Sequence, residues 1–125
     1  MPDSAIHSFI KEYYSLLDSL ANVEELQSFF NEKSFVIIEA DMRIDSLERY
    51  AKWYEETKKQ FSKREHIINS IDIKKRDGLY IVVMDMDFEA TRSTGELVHI
   101  KNAEIIWHLQ SINYKFKIKR YEINI

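Results

Sequence analysis

Apolar residues recur with helical spacing in three segments of the first half of the chain. The first segment follows Ser4, a residue type that favours helix N-termini. Its apolar positions are Ile6, Phe9, Ile10, Tyr13, Leu16, Leu17 and Leu20. The second is short, begins at Asn22 and places Leu26, Phe29 and Phe30 on one side. The third runs from Ser46 to about Gln60, behind the capping pattern of Asp45 and Glu48. Its stripe is Leu47, Tyr50, Ala51, Tyr54 and Phe61. Three helices are therefore predicted.

The other pattern along the chain is that of β-strands. The β-branched run of Ser34–Ala40 (SFVIIEA) predicts a first strand. After Phe61 the apolar period changes to two and remains so. Asp77-Gly78 is a strong signal for a two-residue hairpin turn, since both turn positions need a positive φ. Two long antiparallel strands are predicted around this turn.

The hairpin turn fixes a register in which one strand face is apolar. The expected pairs on that face are Ile67/Phe88, Asn69/Met86, Ile71/Met84 and Ile73/Val82, with His66 on the opposite face. A further turn at Gly95, with a loop of two or four residues, pairs Met86 with Ala103. A three-residue loop is disfavoured because it places Met84 opposite Glu104. A last turn at Ser111–Tyr114 and a bulge near Lys119-Arg120 complete the expected sheet.

Strand length predicts a strongly curved sheet. The segment Leu79–Arg92 would extend roughly 45 Å at about 3.3 Å per residue. A compact domain of this chain length is only about 35 Å across. The sheet must therefore bend around the helices. The predicted fold is a single α+β domain over residues 1–125, with a cone-shaped, curved antiparallel sheet wrapped around N-terminal helices.

Composition excludes several kinds of chemistry. The chain has 125 residues, two glycines, no cysteine and a net charge of −3. Two glycines cannot form a phosphate-binding loop, and the lack of cysteine excludes thiol nucleophiles and thiolate metal sites. The four histidines show no i, i+4 pair, so no metal and no cofactor are expected. The charge argues against a nucleic-acid surface, and no apolar stretch is long enough for a membrane span. A cytoplasmic location is expected.

Several segments resemble the nuclear-transport-factor-two-like superfamily of cone-shaped α+β barrels, which has a cystatin-like fold. The resemblance is greatest for the SnoaL-like and ketosteroid-isomerase-like branch. It is carried by the third helix and by FIKEYYSLLDS, FFNEKSFVII, REHIINSIDI and AEIIWHLQ…YKFKIKRYEI. It implies the cone fold, and it leaves function open among isomerases, dehydratases, cyclases, transport factors and dimerising accessory domains.

The resemblance also allows a comparison of catalytic positions. Ketosteroid isomerases use a first-helix tyrosine, which Tyr13 matches, and a first-strand aspartate, where this chain has Ile38. Their second acid falls at about Ala103 or Ile105. Because isoleucine cannot transfer a proton, that chemistry is disfavoured. Scytalone-dehydratase-like relatives use histidine and aspartate inside the cone; His66 lies in a comparable stretch, but the expected register points it outward.

The concave face of the predicted sheet has an apolar floor under a polar rim. The floor consists of Met84, Met86, Phe88, Ile105 and Trp107, and flexible methionines suit varied ligands. The rim consists of Glu65, Asn69, Arg92, His99 and Lys101. Together with Tyr54, these residues predict a site for a small hydrophobic molecule with an oxygen or carboxylate. Solvated strand ends and ordinary core packing are the competing interpretations.

Two functional hypotheses follow from this site. In the first, an isomerase, cyclase or dehydratase acts by proton transfer or by water addition or loss beside a carbonyl. Tyr13 would be the hydrogen-bond donor, and Asp41, Glu65 or His99 the base. The alternative is a non-catalytic dimeric binding or scaffold domain of the same fold. In either case, the outward-facing aliphatic residues Ile81, Val83 and Ile106 predict a homodimer interface.

Overall fold

The computed structural model describes residues 2–125, which form three helices and six strands. The helices are α1 (Pro2–Asp18), α2 (Val23–Gln27) and α3 (Leu47–Gln60). The strands are β1 (Val36–Glu39), β2 (Met42–Ile44), β3 (Phe61–Arg76), β4 (Leu79–Arg92), β5 (Leu97–Ile112) and β6 (Lys115–Asn124). No helix in this part of the chain combines the length and apolarity that crossing a membrane requires.

One curved, open sheet holds all six strands in the order β2-β1-β6-β5-β4-β3. Neighbouring strands of the sheet run antiparallel, except for β1 and β6, which run parallel to each other. The predicted α+β class and the curved sheet around N-terminal helices are confirmed. The antiparallel description needs one correction at β1–β6, and the short strand β2 was not predicted.

The helices follow the predicted stripes with small changes at their ends. Helix α1 begins at Pro2, whose fixed φ suits a first helical turn. Helix α3 is capped by Ser46, whose Oγ accepts a hydrogen bond from the backbone N–H of Arg49 at 3.1 Å. The predicted cap at Asp45 is therefore wrong by one residue. Asn22 occupies the N-cap of α2 but makes no side-chain capping hydrogen bond.

The core lies between the concave sheet face and the apolar stripes of α1 and α3. Trp107 of β5 is fully buried at its centre, as are Tyr50 of α3 and Phe30, which precedes β1. Tyr13 of α1 packs its ring edge-on against Trp107 at a centroid distance of 5.4 Å. The predicted packing of aromatic helix faces inside the sheet is thus observed.

The register between β3 and β4 agrees with the prediction only as far as Ser70, which pairs with Asp85. A β-bulge at Asn69 then shifts the pairing, so that Ile68 lies opposite Met86 and His66 opposite Phe88. The bulge reverses the two faces of β3 beyond this point. The expected inward position of Asn69 and the expected outward position of His66 are therefore both wrong.

A second bulge occurs at the same height on β5. Met86 pairs with Ala103 as predicted, but Phe88 then pairs with Ile100 and Ala90 with Val98. Beyond the last pair, Thr91 and Leu97, the Arg92 N–H donates to the Glu96 carbonyl at 2.7 Å, which leaves the three residues 93–95 in the loop. The prediction that disfavoured a three-residue loop is therefore wrong, because the bulge on β5 compensates for this loop length. His99 and Lys101 consequently lie on the outer face, not on the concave one.

Carboxylates on the outer face of β4 hold both bulges. Asn69 Nδ2 donates to Asp85 Oδ1 at 3.0 Å and to Asp87 Oδ1 at 2.9 Å. From β5, the backbone N–H of Asn102 donates to Asp87 Oδ1 at 2.9 Å. The side-chain Nδ2 of Asn102 donates to Asp85 Oδ1 at 3.0 Å. Asn102 has a φ of 56°, a conformation that asparagine tolerates better than most residues. These hydrogen bonds lower the pKa of Asp87.

The last hairpin joins β5 and β6 through Asn113 and Tyr114, with φ values of 51° and 66°. Ile118 pairs with Leu109, and Tyr121 pairs with Trp107. The predicted bulge near Lys119-Arg120 is confirmed by the register shift between these pairs. The pairing before the bulge is displaced by two residues from the prediction, which leaves the same side chains facing the core.

Candidate functional site

An apolar cavity of about 320 Å³ opens between the concave sheet face and helices α1 and α3. Strands β1, β3, β4, β5 and β6 all contribute side chains to its wall. Aliphatic and aromatic groups dominate this wall. Its polar side chains include Tyr13, Glu39, Arg64 and His66, each of which can donate or accept a hydrogen bond or a proton. The cavity therefore combines an apolar lining with a small number of polar groups, as ligand sites commonly do.

His66 is held in one orientation by Asp18, the last residue of α1. The distance from His66 Nδ1 to Asp18 Oδ1 is 2.6 Å, and the His66 backbone N–H donates to Asp18 Oδ2 at 2.8 Å. The side chains of His66 and Asp18 are only 16% and 19% exposed. The carboxylate favours the tautomer with a proton on Nδ1. Nε2 is then the basic nitrogen, and it makes no hydrogen bond within residues 2–125.

The ring of His66 is also fixed by aromatic neighbours. Its ring centroid is 4.8 Å from that of Tyr14 and 4.9 Å from that of Phe88. Tyr14 is itself anchored by a hydrogen bond between its hydroxyl and that of Tyr121. The histidine is therefore a preorganised group on the wall of the cavity, with two contacts to Asp18 and contacts to two aromatic rings.

Arg64 lies two residues before His66, on the same inward face of β3. It is only 8% exposed, although it lines the cavity. Its Nε and Nη2 atoms are buried and have no hydrogen-bond partner in the described part of the chain. Tyr54 is its aromatic neighbour, with the ring centroid 5.7 Å from the guanidinium carbon. Burial raises the pKa of the Tyr54 hydroxyl, and Arg64 lowers it by a smaller amount. A buried guanidinium without a carboxylate is energetically costly.

Glu39 supplies a carboxyl group from β1. It lines the cavity together with Ile37, as expected for alternate residues of one strand. Burial raises the pKa of Glu39 above its ordinary value, because the charged form is partly removed from water. The first strand therefore does carry an inward-facing acid, one position after the Ile38 that the family comparison pointed to.

Tyr13 contributes a hydroxyl group that is already hydrogen-bonded inside the protein. The distance between its oxygen and that of Tyr50 is 2.7 Å. Burial is the main cause that raises the pKa of both tyrosines well above 10, so both phenols stay protonated at neutral pH. One proton joins the two oxygens, and the other remains available to a further acceptor.

The structure brings together only part of the predicted site. The predicted residues that line the cavity are Tyr13, Met86, Phe88 and Ile105, together with the rim residue Arg92. Trp107 and Met84 are buried in the core instead. Tyr54 is also fully buried, and its hydroxyl donates to the Ala21 carbonyl oxygen at 2.6 Å. Its predicted position as a ligand contact is therefore wrong.

The predicted rim and most of the predicted bases lie elsewhere. Glu65, Asn69, His99 and Lys101 are exposed on the outer sheet face because of the two bulges. His99 Nε2 lies 3.5 Å from Glu89 Oε1 there. Asp41 is exposed in the turn between β1 and β2. None of these side chains reaches the cavity, so the predicted bases Asp41, Glu65 and His99 are in the wrong place.

The polar residues that sequence reasoning missed are Asp18, Glu39 and Arg64, and His66 was assigned to the wrong face. One signal was available on β3. Ile67 and Ile68 are adjacent apolar residues in a strand of period two, which indicates a bulge close by. Asp18 offered no comparable signal, because its contact with His66 depends on how α1 packs against β3.

Comparison with solved structures identifies the fold. A nuclear transport factor 2-like superfamily protein from Salmonella enterica is 19% identical, covers 97% of this chain and 88% of its own, and has a TM-score of 0.86. A Novosphingobium aromaticivorans protein provisionally assigned as a scytalone dehydratase is 17% identical, with coverages of 98% and 82% and a TM-score of 0.84. A hexachlorocyclohexane dehydrochlorinase is 11% identical, with coverages of 99% and 86% and a TM-score of 0.84.

The chain therefore has the nuclear transport factor 2-like fold, as the sequence resemblance implied. No protein-family model matches the sequence, and no curated protein is significantly similar to it. The identities to the solved structures are below 20%, so the comparison defines the fold, and function must be argued from the cavity.

Proposed function

We propose that the cavity is the active site of an enzyme that transfers a proton on a small, mostly apolar substrate. The observation that carries the proposal is His66, which Asp18 holds with its basic Nε2 free of any protein partner in residues 2–125. A carboxylate–histidine pair on the wall of an apolar cavity is a suitable general base. Asp18 fixes the tautomer and stabilises the imidazolium that forms.

The cavity also suits the second half of such a reaction. When Nε2 removes a proton from a carbon beside a carbonyl, the C–H electron pair moves towards the carbonyl oxygen. The Tyr13 hydroxyl can donate a hydrogen bond to that oxygen while Tyr50 donates to Tyr13. Return of the proton from Nε2 to another carbon gives isomerisation. Its transfer instead to a hydroxyl group on the neighbouring carbon, which leaves as water as the C=C bond forms, gives dehydration. Two of the solved structures with this fold are named as enzymes that catalyse an elimination, a dehydratase and a dehydrochlorinase.

Proton exchange provides a direct test of this function. The protein is incubated in D2O with small cyclic and aromatic ketones, and deuterium incorporation beside the carbonyl is followed by mass spectrometry. We expect His66→Gln to slow incorporation by about 10²–10⁴-fold, the range for a lost general base. Asp18→Asn is expected to act in the same direction, because it removes the carboxylate that selects the tautomer.

The matched control is His99→Gln, which makes the same change at an exposed histidine on the outer sheet face. This variant should exchange at the wild-type rate. A His66→Gln protein that remains folded and exchanges as fast as wild type contradicts the proposal. Ligand binding without exchange by the wild-type protein would favour the alternative, a non-catalytic binding domain of the same fold.

The outer sheet face supports a separate proposal about assembly. Ile81 and Val83 of β4 and Ile106 of β5 form an aliphatic patch there, in which Val83 pairs directly with Ile106. All three side chains keep part of their surface exposed. We propose that a second copy of the chain covers this patch, since clustered aliphatic groups on a sheet face favour association.

Introducing a charge into this patch should separate the two copies. We expect Val83→Lys to convert a dimer into a monomer, because a lysine would have to be buried against aliphatic side chains. Multi-angle light scattering measures the mass directly. Thr94→Lys places the same charge in the exposed loop after β4 and should leave the mass unchanged. If Val83→Lys has the same mass as wild type, the patch is not the interface.

A further inference from the structure

We propose that the molecule bound in the cavity is a carboxylic acid, whose carboxylate pairs with Arg64. The inference rests on the cavity being the ligand site of the proposed function, and it specifies the class of ligand. Arg64 is not used by the proton transfer itself. Its side chain nevertheless occupies the cavity wall, two residues from the proposed base on the same strand face.

The charge of Arg64 indicates the chemistry of the missing partner. The residue is 8% exposed in the cavity wall, and no carboxylate of residues 2–125 forms an ion pair with it. A buried cation is compensated best by an anion. A carboxylate supplies the opposite charge together with strong hydrogen-bond acceptors, whereas a carbonyl or hydroxyl oxygen leaves the charge unpaired. The buried charge therefore favours a carboxylate over a neutral ligand oxygen.

Other charged groups of the cavity leave this position open. Glu39 also lines the cavity, but it makes no ion pair with Arg64 in the described residues. Arg92, the other arginine of the wall, is exposed and already paired, with its Nε 3.0 Å from Glu96 Oε1. Arg64 is thus the buried cation of the cavity whose charge a ligand can neutralise.

The rest of the cavity defines the body of the acid. Its volume of about 320 Å³ lies at the lower end of the range of about 300–1,000 Å³ for ligand pockets, which suits a body of about one or two rings. Phe88, Met86, Ile105 and Trp53 provide apolar and aromatic surface around that body. An aromatic or alicyclic monocarboxylate satisfies both the volume and the charge.

The test compares an acid with a neutral molecule of nearly the same shape. The probes are 2-naphthoate and 2-naphthalenemethanol, and isothermal titration calorimetry measures both dissociation constants. We expect wild-type protein to bind the acid about ten- to a hundredfold more tightly, as for hydrogen bonds to a charged group. Arg64→Met, which replaces the guanidinium with a shorter, unbranched and uncharged side chain, should reduce this preference to about threefold or less.

Arg92→Met is the matched control, since it removes a paired arginine from the same wall and should keep the preference. If Arg64→Met does not fold, Arg64→Gln replaces it; this variant removes the charge but keeps a polar side chain, and it should also reduce the preference to about threefold or less. Absence of binding, equal affinities in wild type, or an unchanged preference in the folded Arg64 variant would each overturn the inference.

The experiment separates this inference from the proposed catalysis. Calorimetry measures binding at equilibrium, so His66→Gln should keep the acid preference even if it no longer exchanges protons. Acid preference without exchange in wild type would contradict only the proposed enzyme function. Proton exchange on ketones without acid preference would contradict only the role of Arg64.

Discussion

Replacing Trp107 with alanine should lower the free energy of unfolding by about 3–5 kcal/mol. Trp107 is fully buried in the middle of β5, where it pairs with Val82 of β4 and Tyr121 of β6. Its ring is stacked on Tyr14 at a centroid distance of 5.6 Å and packs edge-on against Tyr13. Removal of the indole therefore leaves a large cavity under α1 that the surrounding rings cannot fill without moving.

Urea unfolding followed by circular dichroism measures this loss. Trp53→Ala is the matched control, because Trp53 of α3 is only partly buried and lies on the wall of the ligand cavity. We expect this control to lose clearly less stability than the Trp107 variant. A Trp107→Ala protein that is destabilised by less than about 1 kcal/mol would show that the indole is not a core element.

Much of the fold could be predicted because it depends on local patterns and chain length. The helical stripes of α1 and α3 and the Asp77-Gly78 hairpin are short-range features, and each appears in the structure where it was expected. Curvature followed from the length of Leu79–Arg92 against the size of the domain. These features were sufficient to place Tyr13 and Phe88 on the inner side of the sheet.

The polar side chains of the site were placed wrongly because their faces depend on two bulges, of which only the one on β3 has a signal in the sequence, the adjacent Ile67 and Ile68. A bulge changes which face every later residue of the strand occupies, so one misplaced residue reverses a whole rim. This reversal turned His66 and Arg64 into the cavity and moved His99 and Lys101 out of it. The hydrogen bonds that fix the bulges join different strands, and local sequence patterns do not reveal such contacts.

The position of the base depends on a contact even more distant in sequence. Asp18 and His66 are separated by 48 residues and meet only because the C-terminal end of α1 packs against β3. The same packing supplies Tyr14 to the histidine ring. The proposed catalytic pair therefore depends both on the helix packing and on the pairing register of β3 beyond the bulge.

Deleting Asn69 should remove the β3 bulge but leave His66 and Arg64 facing the cavity. Asn69 is the extra residue of the bulge, so without it Ser70 still pairs with Asp85 and Ile68 still pairs with Met86, now in an uninterrupted ladder. The variant loses the two hydrogen bonds from Asn69 to Asp85 and Asp87, and we expect it to lose about 1–2 kcal/mol of stability. The deletion variant should keep the preference for 2-naphthoate over 2-naphthalenemethanol.

Asn69→Ala separates the bulge from the hydrogen bonds that support it. This variant loses the two donations to Asp85 and Asp87 but keeps the residue count of β3. Because both hydrogen bonds are exposed, we expect a loss of only about 1 kcal/mol, with the acid preference retained. Urea unfolding and calorimetry measure the two effects on each protein. A deletion variant that has lost the acid preference, while Asn69→Ala retains it, would show that His66 and Arg64 need the bulge itself, and not only the pairing of Ile68 with Met86, to face the cavity.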